Sequence, residues 1–155
     1  MRILGIDPGS IKTGYGVIER EGRAFRLVTA GVIRPKAGED LYVRLSVIFD
    51  GLIGVIAETQ PQLVAVESVF THKNAQSALV LGHARGVALL AAARAGLPLH
   101  EFPPATVKKS ITGAGAAEKA QVAFMVRRIL AVPEGDKLAE DAADALAVAL
   151  CQGIS

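Results

Sequence analysis

A chain of 155 residues is about the length of one domain and can bury a proper core. It is 51% apolar with a mean hydropathy of +0.39, but no run reaches the roughly 18 uninterrupted apolar residues of a membrane span, and the single cysteine, Cys151, excludes an internal disulfide or a cysteine-rich zinc site. The formal charge of +2 requires any basic surface to be local, and Asp7 and Pro8 interrupt the N-terminus before a signal peptide could form, so no membrane association and a cytoplasmic location are expected.

The chain opens MRILGIDPGS, in which Arg2 to Asp7 reads as a buried strand ending on an acid, ahead of Pro8 and Gly9. Thr13 to Arg20 and Ala24 to Ile33 read as two more strands joined through the turn-forming Glu21, Gly22 and Arg23, which makes an antiparallel meander. Leu41 to Glu58 carries Leu41, Leu45, Ile48, Leu52, Val55 and Ile56 on one helical face. PQLVAVES supplies a short apolar strand that again ends on an acid, Glu67. A second helix runs from about Ala75 to Ala95, and PLHEF is a further strand. The remainder predicts helices over roughly Ala116 to Leu130 and Lys137 to Cys151, separated by Pro133 and Gly135. This order predicts an α/β fold with a mixed five-stranded sheet: a three-strand antiparallel meander plus two parallel strands reached by crossovers, flanked by helices. No repeat or linker divides the chain, so one domain over residues 1–155 is expected.

Asp7 and Glu67 both close apolar strands, and open α/β sheets hold their ligands beyond the carboxyl ends of strands. In the last helix the stripe Leu138, Asp141, Ala145, Val148 turns Asp141 inward near the helix start. Asp144 shares its neighbourhood, with Glu140 as a rival. Each acid alone has an ordinary explanation as a turn cap or a complement to a helix dipole. Together they form a cluster that would repel itself without a cation. Carboxylates with no histidine or cysteine set beside them suit Mg²⁺ or Mn²⁺ rather than zinc. Two such ions would hold a phosphodiester, activate water and stabilise the leaving oxygen.

The blocks ILGIDPGSIKTGYGVI, VAVESVF, THKNAQSALVLGHARGVAL, ATVKKSITGAGAAEKAQV and EDAADALAVAL, in this order across nearly the whole chain, closely resemble the RuvC family of Holliday junction resolvases. A strand ending in DPG also looks like the phosphate-binding opening of sugar kinases and actin, but a nucleotide-binding module of that kind normally closes with a second, duplicated domain. The resemblance implies an RNase H-like fold. It further implies a homodimeric endonuclease that cuts two opposing strands of a four-way DNA junction with two Mg²⁺ ions per site, or Mn²⁺ in their place, in recombination and repair, alongside a branch-migration helicase. The positions matching the family's acidic tetrad are Asp7, Glu67, Asp141 and Asp144.

Between Thr106 and Leu130, Lys108, Lys109, Lys119, Arg127 and Arg128 face a single acid, Glu118. Such a patch positions phosphates without reading sequence. Lys119 falls near a predicted helix start, where the dipole disfavours a cation and a bound phosphate would relieve it. The resemblance favours Lys108 and Lys119 as DNA-backbone contacts, with Lys12 a weaker candidate. Phe70, three residues beyond Glu67, has two readings from the sequence, stacking on an unpaired base or packing in the core, of which the resemblance favours the first, and His72 and Lys73 in the same loop are candidates to touch DNA. The second helix is apolar on more than one side, with Gly82 and Gly86 leaving a shallow groove, so it is expected to be buried on both faces, inside its own domain or against a second copy. The resemblance favours the second copy, a symmetric dimer.

Overall fold

A computed structural model describes residues 1–68 and 74–155. Five strands, β1 (Arg2–Asp7), β2 (Thr13–Glu21), β3 (Ala24–Ile33), β4 (Leu63–Glu67) and β5 (Leu99–Phe102), form one sheet in the order β3-β2-β1-β4-β5. The meander is antiparallel, while β1 to β4 and β4 to β5 pair in parallel. The helices are α1 (Leu41–Thr59), α2 (Ala75–Arg94), α3 (Pro104–Thr112), α4 (Lys119–Ile129) and α5 (Glu140–Ile154). The mixed five-stranded sheet expected from the sequence is present.

Strand parity divides the interior in two. Leu4 and Ile6 of β1, and Val64 and Val66 of β4, face α1 and α2, packing with Ile48, Leu52, Ala88 and Ala91. Ile3 of β1, with Leu63 and Ala65 of β4, faces the other way, toward α3, α4 and α5, where Val107, Val126, Leu146 and Leu150 complete a second core. Asp7 has the parity of Ile3, and Glu67 that of Leu63 and Ala65, because successive residues of a strand alternate between faces. Both acids therefore point toward α5.

The helix α5 sits unusually close to the sheet. A Cβ on Gly5 would strike the carbonyl of Ala145, and one on Gly14 would strike the backbone of Asp141. Alanine repeats on the helix and glycines on β1 and β2 thus meet backbone to backbone, and ten residues of α5 are buried.

The helix α3 is missing from the sequence expectation. That expectation assigns nothing between PLHEF and Ala116, yet Pro104 occupies the first helical turn, where a missing N–H costs nothing. Two other boundaries move: α4 begins at Lys119 rather than Ala116, and α5 at Glu140 rather than Lys137. The glycines of GAGAA and the turn before Ala139 delay both starts, as helix nucleation is costly where backbone freedom is high.

The expectation that α2 is buried on two faces holds on one side only within the chain. Ala84, Ala88, Ala91 and Ala92 are buried, whereas Leu79 (63% exposed), Gly82, His83, Gly86 and Leu90 (51%) form an open stripe. By length and composition α2 could cross a membrane, with a mean hydropathy of 1.2. Arg85 in its middle is instead tied to the sheet, donating to the Glu67 carbonyl at 2.7 Å and pairing with Glu101 of β5 at 2.8 Å.

Candidate active site

The register brings the first two acids together. Ile6 of β1 lies beside Val66 of β4, so the next residue on each strand, Asp7 and Glu67, stands at the same carboxyl edge of the sheet. Opposite Asp7 on β2 is Gly14, whose lack of a side chain lets α5 descend and deliver Asp141. The carboxylate oxygens of Asp7, Asp141 and Asp144 lie within 4.8 Å of one another. Glu67 and Asp144 line one cavity of about 230 Å³ with Asp7, Lys108 and Lys119.

The turn after Asp7 is pinned. Buried Thr13 donates to the Gly9 carbonyl at 2.8 Å and accepts from the Gly9 N–H at 3.1 Å, and Gly9 has no room for a Cβ against Lys12. This clamp holds the start of β2 against the end of β1, which fixes Asp7 from the side away from α5. Neither Thr13 nor Arg85 stands out in the sequence by residue type. An arginine centred in an otherwise apolar helix is the only signal that could have pointed to Arg85.

Crowded acids shift one another. The Asp7 carboxyl is pushed up to about 7, first by burial and then by the charges of Asp144 and Asp141, a hydrogen bond with Asp141 and the charge of Glu67. Burial also raises Glu67, and Asp144 adds to this while Lys108 and Lys119 oppose it. Asp144 is raised by burial against the pull of Lys119.

Two lysines offset the cluster from outside. Lys12 Nζ lies 3.0 Å from Asp141 Oδ2. Lys119 Nζ lies 2.7 Å from Glu140 Oε1 and 3.1 Å from Asp144 Oδ2. The hydrogen bond that the Lys119 ammonium donates to Glu140 is foremost in raising it above its ordinary range. The sequence expectation that a phosphate relieves a cation at the α4 start thus has a protein counterpart: two acids of α5 do so. Glu140, the rival to Asp144 in the sequence, turns to Lys119 and does not join the three clustered acids. Lys108 comes from α3 and faces the same cavity. Phe70, His72 and Lys73 lie outside the described residues.

A mixed five-stranded sheet with acids at its carboxyl edge, closed by a final helix carrying two more, defines an RNase H-like nuclease fold. The chain belongs to the RuvC family: the family model described as crossover junction endodeoxyribonuclease RuvC matches residues 3–152. It is 56% identical over 150 residues to the crossover junction endodeoxyribonuclease RuvC of Halorhodospira halophila, covering 97% of this chain and 88% of that protein. The RuvC of Citrifermentans bemidjiense is 52% identical over 155 residues, covering 100% and 93%. A solved structure of Thermus thermophilus RuvC in complex with a Holliday junction substrate superposes with a TM-score of 0.92 at 35% identity, covering 99% of this chain and 93% of that one.

Proposed function

We propose that Asp7, Glu67, Asp141 and Asp144 together hold two divalent cations, through which this Holliday junction-resolving endonuclease makes paired cuts in opposing DNA strands. The observation that carries the reading is the convergence of the Asp7, Asp141 and Asp144 oxygens within 4.8 Å, from two separate elements. Three carboxylates at that spacing, one of them pushed up to about 7, are short of positive charge, and an all-oxygen donor set fits Mg²⁺ or Mn²⁺. When bound, such ions supply Lewis-acid activation of water and charge neutralisation at the phosphate.

The chain's own residues do the rest. The rigid end of β1, clamped through Thr13 and Gly9, keeps Asp7 central, and Arg85 holds the end of β4 and with it Glu67. Lys108 and Lys119 face the cavity from α3 and α4 and are suited to bind the backbone phosphates on either side of the scissile one. Lys12 pairs with Asp141 and serves a neighbouring phosphate. Phe70, with His72 and Lys73, is assigned to the opened junction on the strength of the sequence alone.

Residues 1–155 act as one nuclease domain, working in the cytoplasm as a homodimer joined through the open stripe of α2. Two-fold symmetry would match that of a four-way junction and place two sites for paired cuts. A branch-migration helicase as a further partner, and Mg²⁺ as the ion with Mn²⁺ able to take its place, rest on the family resemblance.

The deciding experiment mixes the purified protein with a labelled synthetic four-way junction or matched linear duplex, with and without Mg²⁺ or Mn²⁺. Symmetric metal-dependent nicks confined to the junction are expected, and Asp7→Asn should slow them by on the order of 10²–10³-fold, the scale of losing a catalytic electrostatic group. Tight junction binding without cutting in either metal would leave a binding module rather than a resolvase.

A further inference from the structure

Glu140 opens α5 one residue before Asp141, yet its carboxylate serves a lysine rather than the acidic cluster. Lys119 is shared: its Nζ lies 2.7 Å from Glu140 and 3.1 Å from Asp144, which stand four residues apart on one helix and so present a common face. The two acids differ in depth. Asp144 lines the central cavity with a side chain 34% exposed, whereas Glu140 is 69% exposed and lies outside the lining. Lys119 therefore spans from the cavity wall to its rim.

A divalent cation and an ammonium compete for one carboxylate, so a cation on Asp144 weakens that half of the bridge. Lys119 is the first residue of α4, where the helix dipole repels a cation, and the neighbouring cap is occupied with itself, Gln121 Oε1 accepting from the Glu118 N–H. Lys108, which faces the same cavity, is a like charge. Of the other acids of the cavity, Asp7 and Glu67 belong to the group that the cations would claim. Among the described residues Lys119 is bridged to Asp144 and Glu140 alone, so Glu140 is the one left to hold the ammonium at the rim.

We propose that Glu140 is a positioning residue for Lys119: it keeps the ammonium tethered beside the acidic cluster once a divalent cation has taken Asp144, so that the lysine stands ready for a backbone phosphate. The inference rests on the metal and phosphate roles proposed above. It gives the outermost acid of α5 a task distinct from metal binding, and makes the bridge to Asp144 the part that yields.

The test uses Glu140→Gln, Lys119→Met and the double variant, all at exposed positions. In protein carrying ¹⁵N-lysine, the Lys119 ammonium signal is identified by its loss in Lys119→Met. Adding Mg²⁺ without DNA should shift the carboxylate carbon signals of Asp7, Asp141 and Asp144, and the Lys119 signal should move yet persist in the native protein but exchange away in Glu140→Gln. Single-turnover junction cleavage at saturating Mg²⁺ should then fall about three- to fivefold for Glu140→Gln, the scale of a partly exposed charge pair, and not at all when the same change is made in Lys119→Met. If Mg²⁺ moves the carboxylate signals but Lys119 stays held without Glu140, or if cleavage falls equally in both backgrounds, or is unchanged by Glu140→Gln, the positioning role is wrong while the metal site stands. If Mg²⁺ moves none of the carboxylate signals, the metal site itself is wrong and the positioning role goes with it.

Discussion

On one face of the sheet, α5 is pressed onto glycines; on the other, α1 and α2 rest on branched aliphatic side chains. The first contact is backbone against backbone and leaves no slack, because the nearest atoms to Gly5 and Gly14 belong to the main chain of α5. The second is an ordinary layer of Leu4, Ile6, Val64 and Val66 against Ile48 and Leu52, in which side chains can readjust. Acids that must be held within a few ångströms sit on the face that cannot adjust. The adaptable face turns its outer side outward, with Leu79 and Leu90 of α2 exposed, the stripe proposed above to meet a second copy.

The sharpest way to break this comparison is Gly5→Ala. The new methyl would meet the Ala145 carbonyl, so α5 has to move, and a cost of about 3 kcal/mol is expected from overpacking against backbone. Cleavage should fall further than stability does at a temperature where the variant is still folded, since Asp141 and Asp144 move with the helix while Asp7 stays. Thermal melts and single-turnover cleavage measured together check this, and cleavage falling only in step with the folded fraction would show that α5 can resettle.

The acidic face also makes stability depend on pH. A carboxyl held near 7 in the folded protein and near 3.8 in the unfolded chain binds its proton more tightly when folded, so stability falls as pH rises through that window and levels off above it. Burial raises Glu67 and Asp144 as well, which adds in the same direction. Metal-free protein in a chelator should lose about 1–2 kcal/mol between pH 4.5 and 7.5 relative to Asp7→Asn, after allowance for solvent screening of the cluster. Mg²⁺ should restore the loss at pH 7.5. Equal slopes for the two proteins would mean that the repulsion at Asp7 is already relieved.

On the other face, Ile48→Val removes one buried methylene under α1, at a cost of about 1 kcal/mol, and should leave the cleavage rate of the folded protein unchanged. A matching fall in cleavage would show that the two faces are coupled through the strands rather than divided by them.

These contrasts also explain what could be read from the sequence. Apolar runs ending on Asp7 and Glu67, and the inward stripe through Asp141, are local patterns, and each survives into the structure because strand parity and helical period are local rules. The order of five motif blocks added the family and the assignment of Asp144. The helix α3 was hidden because two prolines carry the signal of a loop as readily as that of a helix start. The partners of Lys119 and Arg85 were hidden for another reason. Glu140 is 21 residues from Lys119, and Glu101 is 16 from Arg85, so those pairings depend on how elements stack and leave no spacing to detect.

The smallest expected effect on the chain itself tests the outer side of the adaptable face. Leu90 is half exposed at the C-terminal end of the α2 stripe, and Gly82 and Gly86, earlier on it, have open space where a side chain would stand. Leu90→Glu should change the stability of an isolated chain by no more than about 0.5 kcal/mol, as expected for an exposed position. At a helix seam it would set a charge against an apolar partner, or two like charges against each other across a two-fold axis, and sedimentation should then show dissociation into monomers. Cuts in a junction should turn from paired to single in the same variant, because each released site still holds its acids. An unchanged sedimentation profile would remove this stripe as the interface while leaving the acidic face as it stands, since α5 and α2 cover opposite sides of the sheet.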